Sequence, residues 1–116
     1  MREDILRTIT MICNIYDVEL DDIRSKSRER FLFYVRVVMA SVLRSEYNLT
    51  FTEIGLFLNR DHSTITYYKT MYDDLIHYDK TFQDMLKSID EILLDIRTDF
   101  QVELEDEFEG LINLND

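Results

Sequence analysis

The chain has 116 residues, 46% of them hydrophobic and 32% charged, with a formal net charge of −11. That length suits one domain with a real core, and no apolar run approaches the roughly 20 residues of a membrane span. A single cysteine, Cys13, excludes an internal disulfide, so a reducing cytoplasm is the expected compartment. Glu3 and Asp4 stand where a signal peptide needs a basic then apolar start. Cys13 itself reads as a small buried apolar residue rather than a catalytic thiol. With no proline and two glycines, the chain lacks the turn residues of strand-rich folds and is expected to be all-α.

Taken in order, residues 2–16 carry Ile5, Ile9, Ile12 and Ile15, flanked by Leu6 and Cys13, at helical spacing. Asp17 to Ile23 reads as a short turn capped by Asp17, with Leu20 and Ile23 inward. Arg24 to Arg28 is polar and basic and reads as an exposed loop. From Arg30 to Tyr47 the pattern is apolar over most of a helix circumference, which predicts the central helix of a small bundle. Arg36 and Arg44 interrupt it eight residues apart, on a shared face, and Asn48-Leu49 closes it.

Thr50-Phe-Thr-Glu53 has the form of a capping box and opens a short helix from Phe51 to Leu58. Gly55, inside that helix, reads as permitting close packing. After Asn59-Arg60, Asp61 caps a further helix whose buried stripe is Ile65, Tyr68, Tyr72, Leu75 and Ile76. An extra C-terminal helix is expected from about Thr81 to Ile96, so that residues 1–97 form one helical domain. Residues 98–116 read as an acidic tail, either a loosely attached helix or disordered.

Charge is unevenly spread. Residues 1–72 hold ten Lys/Arg and ten Asp/Glu, whereas residues 73–116 hold three and fourteen. Between residues 24 and 69 there are eight Lys/Arg against four acids, so the middle of the chain is mildly basic.

Two helices joined by a very short turn have the arrangement of a helix-turn-helix, whose second helix enters the major groove N-terminus first. Ser63 and Thr64 supply donors for phosphate oxygens, Arg60 and His62 supply donors for base edges, and the Thr66 methyl suits a thymine methyl. Spacing alone leaves two readings open: a recognition helix, or an ordinary capped helix start.

The stretch from Ile5 to about Tyr78, roughly two-thirds of the chain, resembles the C-terminal DNA-binding domain (domain IV) of the bacterial replication initiator DnaA. Three elements carry the resemblance, in the family's order. They are the basic Ser25-Lys26-Ser27-Arg28, the Glu53-Ile54-Gly55 of the first motif helix, and the Arg60-Asp61-His62-Ser63-Thr64-Ile65 run. The resemblance implies a helix-turn-helix bundle of Trp-repressor-like type and sequence-preferring binding to double-stranded DNA, in replication initiation or its regulation. It implies that Arg28 reads the minor groove, and that Arg36 and Arg44 clamp phosphates, Arg36 alternatively approaching a base. His62, Ser63 and Thr64 would lie in the major groove or on its phosphates, and Asp61 would cap the helix and accept from a cytosine. Lys26, Arg60 and Lys69 would contact the backbone, with Tyr67 and Thr66 completing the face.

The sequence departs from the family pattern in three places. Val37 stands where the family often has glutamine, and Asn59 alone stands where paired glycines are common, so a shorter turn is expected to re-aim the recognition helix. No phosphate-binding glycine loop is present, so no bound nucleotide is expected.

A second class of function is a protein-interaction module that keeps the fold, with DNA binding lost or autoinhibited. The acidic C-terminus would then meet a protein partner through Phe100 and Phe108, or compete with phosphate on the basic face. An enzyme is not expected, since nothing converges a nucleophile, a base and oxyanion donors. His62 and His77 do not make a zinc site, and neither metal nor cofactor is expected.

Overall fold

A computed structural model describes residues 2–91, 93 and 94. The first helix, α1 (Arg2–Ile15), buries Ile5, Thr8, Ile9, Ile12 and Cys13, a stripe that Tyr16 continues beyond its end. The expected stripe therefore needs correcting at two positions, because Leu6 and Ile15 are 44% and 38% exposed. A three-residue step from Ile12 to Ile15 falls short of a full 3.6-residue turn, and the four-residue step to Tyr16 keeps to the core side.

Asp17 does not cap the next helix. It takes a left-handed conformation at φ 53°, and the Val18 amide then donates back to the Cys13 carbonyl at 3.0 Å, which closes α1. The one-turn helix α2 (Leu20–Arg24) begins after Glu19, with Ile23 fully buried. Aspartate tolerates both the N-cap and the left-handed position, so local sequence does not choose between them.

The central helix α3 (Arg30–Tyr47) buries every residue from Tyr34 to Ala40, and ends on left-handed Asn48 at φ 52°. Around it pack α1, α2, α4 (Phe51–Leu58) and α5 (His62–Tyr78). Each fully buried branched aliphatic here contributes about 1.5–3 kcal/mol relative to exposure. Among the described residues the secondary structure is helical throughout, as the composition predicts.

Residues 80–91 form a further helix, α6, and residues 93 and 94 are also helical. Asp79 opens it by accepting from the Phe82 amide at 2.9 Å, and it also accepts from the Tyr34 hydroxyl at 2.5 Å. Phe82 is completely buried, with its ring edge-on to Tyr34 and Tyr72. The buried Tyr16 hydroxyl donates to the Met85 carbonyl at 2.7 Å, so α6 is tied to both α1 and α3. The acidic segment 98–116, with Phe100 and Phe108, lies outside the described residues.

Candidate nucleic-acid interface

The capping box is formed as its residue types require. The Glu53 amide donates to the Thr50 hydroxyl at 3.1 Å, and the Thr50 amide donates to the Glu53 carboxylate at 3.0 Å. The Thr50 amide, and secondarily the Thr50 hydroxyl, lower the pKa of the Glu53 carboxyl. At the other end of α4, Asn59 turns left-handed at φ 57° and the Arg60 amide donates to the Gly55 carbonyl at 2.8 Å. The turn folds so closely over α4 that a Cβ on residue 55 would overlap the Arg60 carbonyl oxygen. Glycine is required by this approach, in line with its expected role in close packing.

Asp61 then starts α5. Its carboxylate accepts from the Thr64 amide at 2.9 Å and from the Thr64 hydroxyl at 3.0 Å. Those two bonds, helped by Ser63 and the neighbouring His62, lower the Asp61 pKa and keep a full negative charge on the helix N-terminus. His62, Ser63, Thr66, Tyr67 and Lys69 are exposed along the first turns of α5, and Thr64 is half-buried. The Thr66 hydroxyl donates to the His62 carbonyl at 3.0 Å. Lys69 pairs with Asp73 at 3.8 Å on the exposed surface. Tyr67 is 53% exposed and stacks on Phe33 of α3, with ring centroids 6.2 Å apart. Nothing in the sequence distinguishes Phe33 from the other apolar residues of a helix that is apolar over most of its circumference.

The basic loop lies against the turn of the motif. The Arg60 guanidinium donates to the Ser25 carbonyl at 2.5 Å, and the Asn59 side-chain amide donates to the Arg24 carbonyl at 3.2 Å. Lys26 and Arg28 are exposed on that loop. Arg36 was expected at a phosphate or a base, and the structure places it otherwise. It is 3% exposed, and its guanidinium donates to the carbonyls of Ile23 (2.8 Å), Ser27 (2.8 Å), Asp22 (2.9 Å) and Ser25 (3.2 Å). Burial, and secondarily the nearby Arg60 charge, lower the Arg36 pKa, although an arginine remains protonated.

Nor do Arg36 and Arg44 present one common face to solvent. Arg44 is exposed, donates to the Leu49 carbonyl at 2.8 Å and lies over the Phe51 ring at 5.3 Å, bridging the end of α3 to the start of α4. The structure thus joins the loop that carries Lys26 and Arg28, at its Arg24 and Ser25 carbonyls, to the turn that precedes α5. Arg36 sits beneath that loop.

An eight-residue helix, a three-residue connection and a 17-residue helix with a capped, polar first turn define a helix-turn-helix domain. Residues 5–70 match the family described as the bacterial DnaA protein helix-turn-helix, and the chain belongs to that family. It is similar to the chromosomal replication initiator protein DnaA of Mycoplasma pneumoniae, at 31% identity over 81 residues. That alignment covers 70% of this chain and 18% of the relative. The same protein of Mycoplasma genitalium is 30% identical over the same shares. That of Bacteroides thetaiotaomicron is 27% identical over 92 residues, 78% of this chain and 19% of the relative. The chain therefore spans less than a fifth of the length of these relatives. No solved structure matches it significantly.

Proposed function

We propose that this chain binds double-stranded DNA with a sequence preference, using α5 as the recognition helix and the 25–28 loop as a second, basic contact. The observation that carries the reading is the junction itself. A capped helix start with exposed His62, Ser63, Thr66 and Tyr67 is hydrogen-bonded through Arg60 to a loop bearing exposed Lys26 and Arg28. In this arrangement α5 lies in the major groove, where His62 and Thr66 face base edges and Ser63 and Thr64 donate to phosphates. Arg28 enters the adjacent minor groove, and Lys26 and Lys69 neutralise phosphates. Asp61 orients the helix start, and Arg44 remains within reach of the backbone.

The family assignment points to replication initiation or its regulation as the process. The chain's small share of its relatives' length limits the proposal to their DNA-binding function.

Selection of bound duplexes from a random pool, followed by titration of the enriched duplex in rising salt, tests the proposal. One enriched motif is expected, with log affinity falling against log salt at a slope of about −2.7 to −4.5 if three to five phosphates are neutralised. Failure to enrich any motif, with no retention of duplex at low salt, would overturn it. Running the same titration on a chain cut near Asp99 tests the acidic segment. Binding that appears only after the cut assigns that segment an inhibitory role.

A further inference from the structure

We propose that Arg36 and Arg60 are positioning residues for DNA recognition: together they hold the backbone of residues 22–27 and so set where Lys26 and Arg28 are presented beside α5. This inference rests on the DNA-binding reading above.

The loop has few other means of staying in place. Beyond the end of α2, residues 25–28 belong to no helix or strand, and their side chains, exposed or in the case of Ser25 half-buried, bury little apolar area. The Ser25 and Ser27 hydroxyls make only local bonds: that of Ser25 donates to the Asp22 carbonyl (2.6 Å) and accepts from the Ser27 amide (3.2 Å), and that of Ser27 accepts from the Glu29 amide (3.3 Å). What fixes the loop against the body of the fold is chiefly a set of guanidinium donors from two directions, beside the single bond from the Asn59 side-chain amide to the Arg24 carbonyl. From below, Arg36 reaches the carbonyls of Asp22, Ile23, Ser25 and Ser27. From the side, Arg60 reaches Ser25 at 2.5 Å and Arg24 at 3.5 Å. The Ser25 carbonyl accepts from both arginines, so the two clamps meet at one atom.

A planar guanidinium has five donors in a rigid fork, whereas a lysine ammonium has three around one point. Lysine at either position keeps the charge and loses the simultaneous reach to several carbonyls. A loop already held in its bound geometry avoids the ordering entropy that a mobile loop incurs on binding, so its loss appears as weaker affinity through Arg28 and Lys26. Arg60 also connects the loop to the turn preceding α5, which couples the spacing of the minor-groove contact to the recognition helix.

Arg36→Lys and Arg60→Lys, both charge-conserving, provide the test. Limited trypsin digestion followed by mass spectrometry reads cleavage between residues 24 and 30 relative to cleavage at Arg7. Each variant is expected to raise the loop's relative cleavage about tenfold, the effect of about 1.4 kcal/mol on local opening. Unchanged loop cleavage in both variants would overturn the clamp. In the DNA arm, each variant is combined with Arg28→Ala. Arg36→Lys is expected to weaken duplex binding several-fold in the wild-type background and hardly at all beside Arg28→Ala. Losses that multiply independently would show that Arg36 acts on DNA without the loop, and would overturn its positioning role. Should Arg36→Lys melt too low to assay, the half-buried Arg60→Lys decides by the same two readouts. A wild-type chain that binds no duplex sinks the DNA reading and, with it, the DNA-presenting role. Accelerated loop cleavage would then still establish the clamp as structural.

Discussion

Arg60 and Ser25, 35 residues apart in sequence, are joined by a guanidinium-to-carbonyl hydrogen bond of 2.5 Å. The bond unites the two segments that the DNA reading requires to act together, the turn of the helix-turn-helix and the basic loop. Arg60 therefore supports the face at its seam, and its donors are engaged before any phosphate arrives. The contrast with the exposed Lys26 and His62 separates a residue that builds the surface from residues that the proposed function places on DNA.

Gly55→Ala is expected to destabilise the protein although alanine is the better helix former. Propensity favours alanine by about 1 kcal/mol. The added methyl would overlap the Arg60 carbonyl, a backbone atom that cannot rotate away, and overpacking of this kind costs about 1–3 kcal/mol. A lowered thermal midpoint, accompanied by weaker duplex binding as the turn shifts, is the expected result. A raised midpoint would show that the turn yields easily.

The Asp61 carboxyl titrates below its ordinary value of 3.8 because Thr64 hydrogen bonds favour the ionised form. A lowered folded-state pKa means that its stabilisation is complete above about pH 4 and fades as pH falls through the folded value. Asn is also a good N-cap and does not titrate. Asp61→Asn should therefore melt below the wild type at pH 7 and match it in strong acid, which thermal melts across pH 2–7 would check.

Tyr16→Phe should loosen α6. Its hydroxyl is buried on the Met85 carbonyl, and losing such a bond costs about 0.5–1.5 kcal/mol. Burial, and then the Asp90 charge, also raise the Tyr16 pKa well above its ordinary 10.0. The folded state holds this proton more tightly than the unfolded chain, so stability falls as pH rises beyond about 10. Alkaline denaturation is expected to be steeper in the wild type than in Tyr16→Phe. Equal slopes would remove Tyr16 from the alkaline transition.

On DNA, Lys26→Ala and His62→Ala should differ in kind. Losing a phosphate contact should weaken all duplexes similarly and reduce the salt slope by about 1. Losing a base contact should cost about 1–3 kcal/mol on the preferred sequence only, with the slope retained. Filter binding on preferred and scrambled duplexes, at several salt concentrations, separates the two cases.

What sequence disclosed and what it withheld follow the range of the interactions. The Thr50–Glu53 box and the Asp61 cap are made within four residues, so their residue types announce them. Arg36 is different, because the carbonyls that take its donors belong to residues 22–27 and become neighbours only when α2 and the loop fold across α3. A clue was present nonetheless. Arg36 stands inside the run Tyr34–Ala40, apolar apart from itself, where a cation has no exposed side to occupy and must find partners within the fold. Asp17 shows the opposite limit, a local choice between two compatible roles that was settled by how α1 needed to end.

Among the described residues, three helices stop on residues other than glycine in left-handed geometry: Asp17, Asn48 and Asn59. Asn59 has a reason to stay, since its side-chain amide holds the Arg24 carbonyl. Asn48 is exposed at the far end of α3, away from the junction of loop and turn. Replacing it with glycine relieves backbone strain of a few tenths to about 1 kcal/mol and leaves the DNA-facing residues as they are. The protein thus holds a reserve of thermal tolerance at the C-terminal end of α3, available to an engineer who wishes to harden the scaffold before altering what it recognises.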